Sequence, residues 1–370
     1  MKLTVDCKML AQAIGEVAPF SPSKPTIDIL KYAKVTTKYN RMKIEANDAN
    51  KTLIKYIDVM ECDEDGQFLV EIAEVNKFFA KLKSNTVDIV VDNNNVTIRH
   101  PKGEATFATA NADEYPSFRI SEEQSTSVEI PAAKICEFVK IGKGFVASDT
   151  TRPQMTAIYA YVKDGMFGFC ATDTHRLITD HTDVMFAPDM DINWYIDPTI
   201  FATLIKMCAA TEGNVTVKVY EGHVSYKIGD TIIHTTQIKG RYPNFQRVIP
   251  STWGIECGCD RDELLESVNR SAMFCAASNC MKLKYSRMDI VVTVDNIDFM
   301  RKTTETLTHN GCNGEIEIGM SADNLQACLS VCNAGEVLMR MTDANKPMLF
   351  VQSESPNRTI LAMPMALING

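Results

Sequence analysis

Apolar residues recur along this chain in two rhythms. Runs of period two, such as Val87 to His100 and Val215 to Gly229, alternate apolar and polar positions and are broken by Asn- or Gly-containing turns, which predicts antiparallel hairpins. Between them the spacing becomes helical. Leu10, Ile14 and Val17 lie at i, i+4 and i+7, and Val75, Phe78, Phe79 and Leu82 draw a second apolar stripe. Asp197-Pro198 and Ser321 carry helix-start chemistry, with proline suited to the first helical position. The predicted class is α+β, dominated by antiparallel sheet.

The elements come in three sets. Strand-like openings recur at LTV beside Lys2, at SVEIPA (Ser127 to Ala132) and at GIECGC (Gly254 to Cys259). Each is followed by a second strand-plus-helix unit starting at Gly66, Ile192 and Gly314. Asp48, Asp173 and Asp295 stand roughly 120 residues apart, far beyond a solenoid period. Three tandem domains of one fold follow, at 1–120, 127–250 and 251–370, each with two helices packed on antiparallel sheets and each large enough for its own core. The first two end alike, in DEYPSF (Asp113 to Phe118) and GRYPNF (Gly240 to Phe245), so Tyr-Pro-x-Phe reads as a domain closure. Only the second continues into QRVIPS, with Arg247, Val248 and Pro250, which reads as functional.

Candidate chemistry is sparse. No apolar run approaches the ~20 residues of a membrane span, and MKLTVD enters the first repeat directly, so a cytoplasmic protein is expected. Twelve cysteines spread over 370 residues without a paired CxxC arrangement predict free thiols and no metal or other cofactor. Cys257/Cys259, Cys275/Cys280 and Cys328/Cys332 are the tempting pairs, but Cys328 shares an apolar face with Leu325 and Leu329. Asp173 and His175 could form an acid/base pair or hold a metal. Asp48 and Asp295 occupy the equivalent repeat positions without a histidine, so the aspartate reads as a turn residue, and His175, Arg176 and Leu177 as the local addition. Nucleophile-elbow, P-loop, HExxH and dinucleotide-turn motifs are all missing, and no enzyme is expected. A metal-dependent hydrolase around Asp173 and His175 is the enzyme alternative.

ATDTHRL (Ala171 to Leu177), GRYPNFQRVIP (Gly240 to Pro250), TDANKPMLF (Thr342 to Phe350) and MPMAL (Met363 to Leu367) together resemble the bacterial DNA polymerase III β sliding clamps. The resemblance runs from MKLTV and SKPTIDIL to the last residues, in order and in spacing. It implies a DNA polymerase processivity factor: a head-to-tail homodimer whose six domains close a ring around duplex DNA without reading its sequence. It also implies loading by an ATP-dependent clamp loader, and tethering of the replicative polymerase, repair factors and other clamp-motif proteins through a short Gln-plus-hydrophobic peptide. The matching groove positions are Met155, Thr172, Thr174, His175, Arg176, Leu177, Pro243, Arg247, Val248, Pro347, Ala362, Met363, Pro364 and Met365. Thr174 stands where the family has glycine, and Ala366 where a basic residue is common. Phe107, Met273 and Phe274 match subunit-junction positions.

Elementary geometry is compatible with such a ring. A domain of ~120 residues is a sphere about 35 Å across, and six of them leave a hole about one unit wide. Two helices per domain would line it, with Lys77, Lys81 and Lys83, then Lys134, Lys140 and Lys143, then Arg261 and Arg270 as cations. Lys24 falls at a family DNA-contact position, and Arg152 joins the DNA-facing set beside Asp149. The net charge of −9 alone favours a protein-interaction module, and a non-replicative scaffold of the same fold is the alternative. Topological linkage weakens that objection, because weak sequence-independent phosphate contacts then suffice. Leu361 is expected in a final core strand, with Met363 to Met365 exposed beyond it.

Overall fold

In a computed structural model of the chain, the described residues are all except 93–94, 119–123, 277–278, 297–298 and 368–370, together with the side chain of Asp183. The fold divides into two compact units, Met1–Ile135 with Lys206–Gln237, and Cys136–Ile205 with Ile238–Gly370. The dividing line crosses the second repeat rather than following the repeats.

Among the described residues, six helices follow the predicted rhythm: α1 (Cys7–Val17), α2 (Ile72–Phe79), α3 (Ala132–Gly142), α4 (Phe201–Ala209), α5 (Arg261–Ala272) and α6 (Ala322–Ser330). In α1 the stripe of Leu10, Ile14 and Val17 is buried, and in α2 Val75 and Phe79 are buried. Leu82 lies beyond the end of α2. Ser321 caps α6 by accepting the Asn324 N–H, and Asp197 accepts the Thr199 N–H ahead of Pro198. Two caps escaped the sequence reading: Asp6 accepts the Met9 N–H, and Asp260 those of Asp262 and Glu263.

Strand pairs among the described residues are all antiparallel. The first unit holds a five-stranded and an eight-stranded sheet, and the second a nine-stranded and a five-stranded sheet. The two large sheets each join strands of neighbouring repeats. In the first unit Thr231–Thr236 pairs with Lys51–Asp58, setting Thr235 opposite Lys51. In the second, Thr359–Ala362 pairs with Arg176–Met185, setting Ala362 opposite Arg176. Arg358 reinforces this second junction from a nearly buried position, donating to Asp180 and to Glu137, each at 2.8 Å. The two small sheets end on single-neighbour strands, Gly103–Ala108 and Arg301–Leu307.

Each Tyr-Pro tyrosine is held within its own repeat. Tyr115 is buried and its hydroxyl accepts the Asn47 N–H, while the Asn47 amide donates to Pro116 O. Tyr242 is buried in the second unit, stacks on Tyr159 at 4.8 Å and donates to Cys170 O. All twelve cysteines are free thiols. Burial pushes Cys259 and Cys332 up to about 12, which leaves poor nucleophiles.

Candidate peptide groove and DNA-facing surface

The turn from Thr172 to Arg176 is clasped by its own side chains. Thr172 Oγ1 donates to Arg176 O at 2.7 Å and accepts the Thr174 N–H. Asp173 Oδ1 accepts the N–H groups of His175 and Arg176, both at 2.9 Å, and its carboxylate pairs with the Arg176 guanidinium at 3.0 Å. The carboxylate is therefore committed to a turn and an arginine, as Asp48 is to the Asn50 and Lys51 N–H groups. The third copy departs from the expectation. Asp295 lies within the strand Ile290–Asn296, at the ladder position of Ala46 and Ala171, and pairs with Lys302, while Asn296 accepts the Phe299 N–H.

This turn meets the tail of the chain. His175 O accepts the Met363 N–H at 2.7 Å, and Arg176 reaches Asp323 O in the first turn of α6 while its guanidinium faces the Phe145 ring. Leu177 enters an apolar cluster with Tyr242, Leu349 and Leu361, against which Phe245 and Ile249 pack. Pro243, Arg247 and Val248 share a stretch of chain with Tyr242, Phe245 and Ile249, which belong to or pack on that cluster, and Met348, next to Pro347, pairs with Ala362. Gln154, next to Met155, lies against Gly240.

Exposure sorts the groove residues. Thr174, His175, Pro243, Arg247 and Val248 are exposed, and Arg176 is half-buried. Met155, Thr172, Leu177, Pro347 and Ala362 are buried, so they form a floor beneath the rim rather than free anchor surfaces. The tail corrects its expectation more sharply. Met363, Pro364 and Met365 are half-buried, and Pro364–Met365 forms a short strand paired with Met320 and Gly319. A segment rich in apolar side chains gains both hydrogen bonds and cover by pairing to a sheet edge, and that outweighs exposure.

The cations also divide. Lys77 on α2, Lys140 on α3, and Lys24, Lys143 and Arg152 in loops are exposed, and Lys134 on α3 is half-buried. Lys81 and Lys83 are exposed but follow the end of α2, so they are not helix-face residues as expected. The third repeat departs further. Arg270 makes a two-pronged contact to Glu305 at 3.0 and 2.7 Å, and Arg261 donates to Asn333 O and pairs with Asp262. Neither is a free cation.

At the single-neighbour edges, Phe107 is half-buried against Phe78, their rings 5.8 Å apart. Met273 is 78% exposed, and the sequence reading missed Phe299 at 67% and Met300 at 94% beside the Arg301–Leu307 edge. Asn296 ties this patch together, donating to Phe274 O and accepting from Phe299. Their signal was only two apolar residues preceding a charged strand.

Three family models cover almost the whole chain: the DNA polymerase III beta subunit N-terminal domain over residues 1–119, the central domain over 129–244 and the C-terminal domain over 246–366. The chain belongs to the DNA polymerase III beta subunit family. It is a non-catalytic processivity subunit built from three tandem clamp domains. It is 22% identical to the beta sliding clamp of Bacillus subtilis over 376 residues, covering 99% of each. The crystal structure of the DNA polymerase sliding clamp from Bacillus subtilis matches with a TM-score of 0.92 at 22% identity over 99% of each chain. A Caulobacter crescentus beta sliding clamp, with PEG bound to a putative beta-motif tethering region, matches at 0.92 and 20% identity, again over 99% of each chain. Among the described residues no helix is long and apolar enough to cross a membrane.

Proposed function

We propose that two copies of this chain close head to tail into a ring around duplex DNA in the cytoplasm, with domains at 1–120, 127–250 and 251–370. One observation carries this reading. Strand Thr231–Thr236 of the second repeat pairs with Lys51–Asp58 of the first, and Thr359–Ala362 of the third pairs with Arg176–Met185 of the second. Gly103–Ala108 occupies the first kind of position in repeat one, and Arg301–Leu307 the second kind in repeat three, yet each has a single neighbour among the described residues. A third junction of the same type can form only with another chain, which gives heterologous contacts that close as a ring. The bare edges are then covered rather than left as aggregation templates.

Within that ring, Lys24, Lys77, Lys81, Lys83, Lys134, Lys140, Lys143 and Arg152 face the DNA through screened phosphate contacts. Clamp loader, replicative polymerase and other motif-bearing proteins dock a Gln-plus-hydrophobic peptide in the groove between the 172–177 turn, the 243–248 turn and the 363–365 tail. The Caulobacter relative, with PEG bound at its putative tethering region, supports a groove of this kind in the family. The test is topological. Loaded onto nicked circular DNA, the protein should stay bound in moderate salt and be released when the circle is linearised. Equal retention on both forms would mean ordinary DNA affinity instead of encirclement.

A further inference from the structure

A polar cleft of about 790 Å³ opens beside the groove in the second unit. Its floor is the sheet face carrying Tyr159, Tyr161 and Tyr195, and its wall is the 240–247 loop. Both are fixed. Tyr161 lies across Gly168, where a Cβ would meet its ring at 2.6 Å, and Tyr195 donates to Gly240 O at 2.8 Å while Tyr242 anchors the loop from below.

The cleft is cationic in an acidic protein. Lys163, Arg241 and Arg247 line it against the single carboxylate of Asp191, and among the described residues none of the three cations has a carboxylate at ion-pair distance. Unpaired cations beside an aromatic wall attract an anion carrying apolar or aromatic side chains. One edge of the cleft is the strand Ile192–Ile196, the last of its sheet, which leaves backbone groups for an extended chain. Arg247 and Pro243 belong to both cleft and groove, so one ligand can run from one into the other. Asp191 and the short strand edge suit a polypeptide better than a run of phosphates.

We propose that this cleft binds an acidic segment flanking the hydrophobic motif of the partner peptide. The proposal rests on the groove reading above. It adds an electrostatic second contact, which discriminates among partners that share the same motif.

The experiment uses the full chain and two fluorescein-labelled peptides, a Gln-x-x-Leu-x-Phe core and the same core extended by Asp and Glu residues at either end. Anisotropy in low salt should show the extended peptide binding roughly fivefold more tightly, with the gain falling as salt rises. Lys163→Glu with Arg241→Glu should erase the gain and leave core binding unchanged. Core binding with no gain from the extension, or a gain that survives charge reversal, overturns the cleft while leaving the groove. Binding of neither peptide overturns both. A dT oligonucleotide that displaces the extended but not the core peptide would overturn a peptide as the occupant.

Discussion

At the scale of single residues, Thr174 is the sharpest departure. Its φ is +80°, a left-handed conformation that glycine adopts freely and a β-branched residue only with strain. The turn imposes it, because Thr172 and Asp173 hold the N–H groups on either side. Thr174→Gly should release strain of about 1 to 3 kcal/mol, less the added freedom of the unfolded chain, for a net gain near 1 kcal/mol. A urea midpoint that falls instead would place the strain elsewhere. His234 gives a second prediction. It is buried on the strand Thr231–Thr236, stacks on Phe118 at 5.3 Å, and its Nδ1 has no hydrogen-bond partner among the described residues. Burial, with His223 and Lys43 nearby, lowers its pKa to about 4. The folded state therefore disfavours the charged form. Stability is complete above the unfolded value near 6.5 and is lost as pH falls toward 4, by up to roughly 3 kcal/mol. Urea midpoints of His234→Phe should fall less steeply over that window than those of the parent, and parallel slopes would acquit the histidine. The repeat comparison made Asp173 legible as a turn residue. It could not foresee that Asp295 sits inside its strand, at the ladder position of Ala46 and Ala171, because a shift in register at a strand end leaves no mark in composition.

At the scale of elements, the helices and strands were legible because their apolar periods are regular and short turns separate them. The tail was not. MPMAL has too few residues to show a period, and only the pairing of Pro364 and Met365 with Met320 and Gly319 reveals it as an edge strand. Tail truncation from Met363 therefore removes sheet edge as well as groove, and loss of peptide binding alone would be ambiguous. Gly319 offers a cleaner test. A Cβ there would meet Met365 O at 2.6 Å, with the Leu367 side chain next, and the carbonyl can retreat only by unpairing the tail. Gly319→Ala should keep the dimer and the far-ultraviolet spectrum while weakening core-peptide binding roughly tenfold, the loss of about one apolar anchor contact. Undiminished anisotropy titrations would remove the tail from the groove. The same length limit explains the lysines. A stripe through Lys77, Lys81 and Lys83 looks continuous in sequence, but α2 ends at Phe79, so only Lys77 keeps a helical position.

At the scale of the whole molecule, the threefold repeat was legible from its openings and its period, whereas the ground for the proposed assembly lies in strand pairing. Two junctions of one type are satisfied within the chain and the third is split between Gly103–Ala108 and Arg301–Leu307. In the proposed dimer, transferring the observed registers sets Arg301 opposite Thr106 of the partner subunit, because Thr52 and Leu177, which pair with Asn47 and Thr172 as Arg301 pairs with Asn296, lie opposite His234 and Leu361. Beside that edge Met273, Phe299 and Met300 expose large apolar surface, which a partner would cover. Phe274 is half-buried, so a charge there risks the fold itself. Met273 and Met300 are almost bare, and replacing both with arginine leaves the described core untouched. Each buried methionine is worth about 1.5 to 3 kcal/mol, and each occurs at both junctions of a ring, so Met273→Arg with Met300→Arg should weaken dimerisation by a factor of roughly 100 or more. Light scattering should then report a folded monomer with an unchanged thermal transition in its own domains, and retention on circular DNA should vanish while core-peptide binding persists. A double variant that still weighs as a dimer and still holds circular DNA would mean that the subunits meet along some other edge.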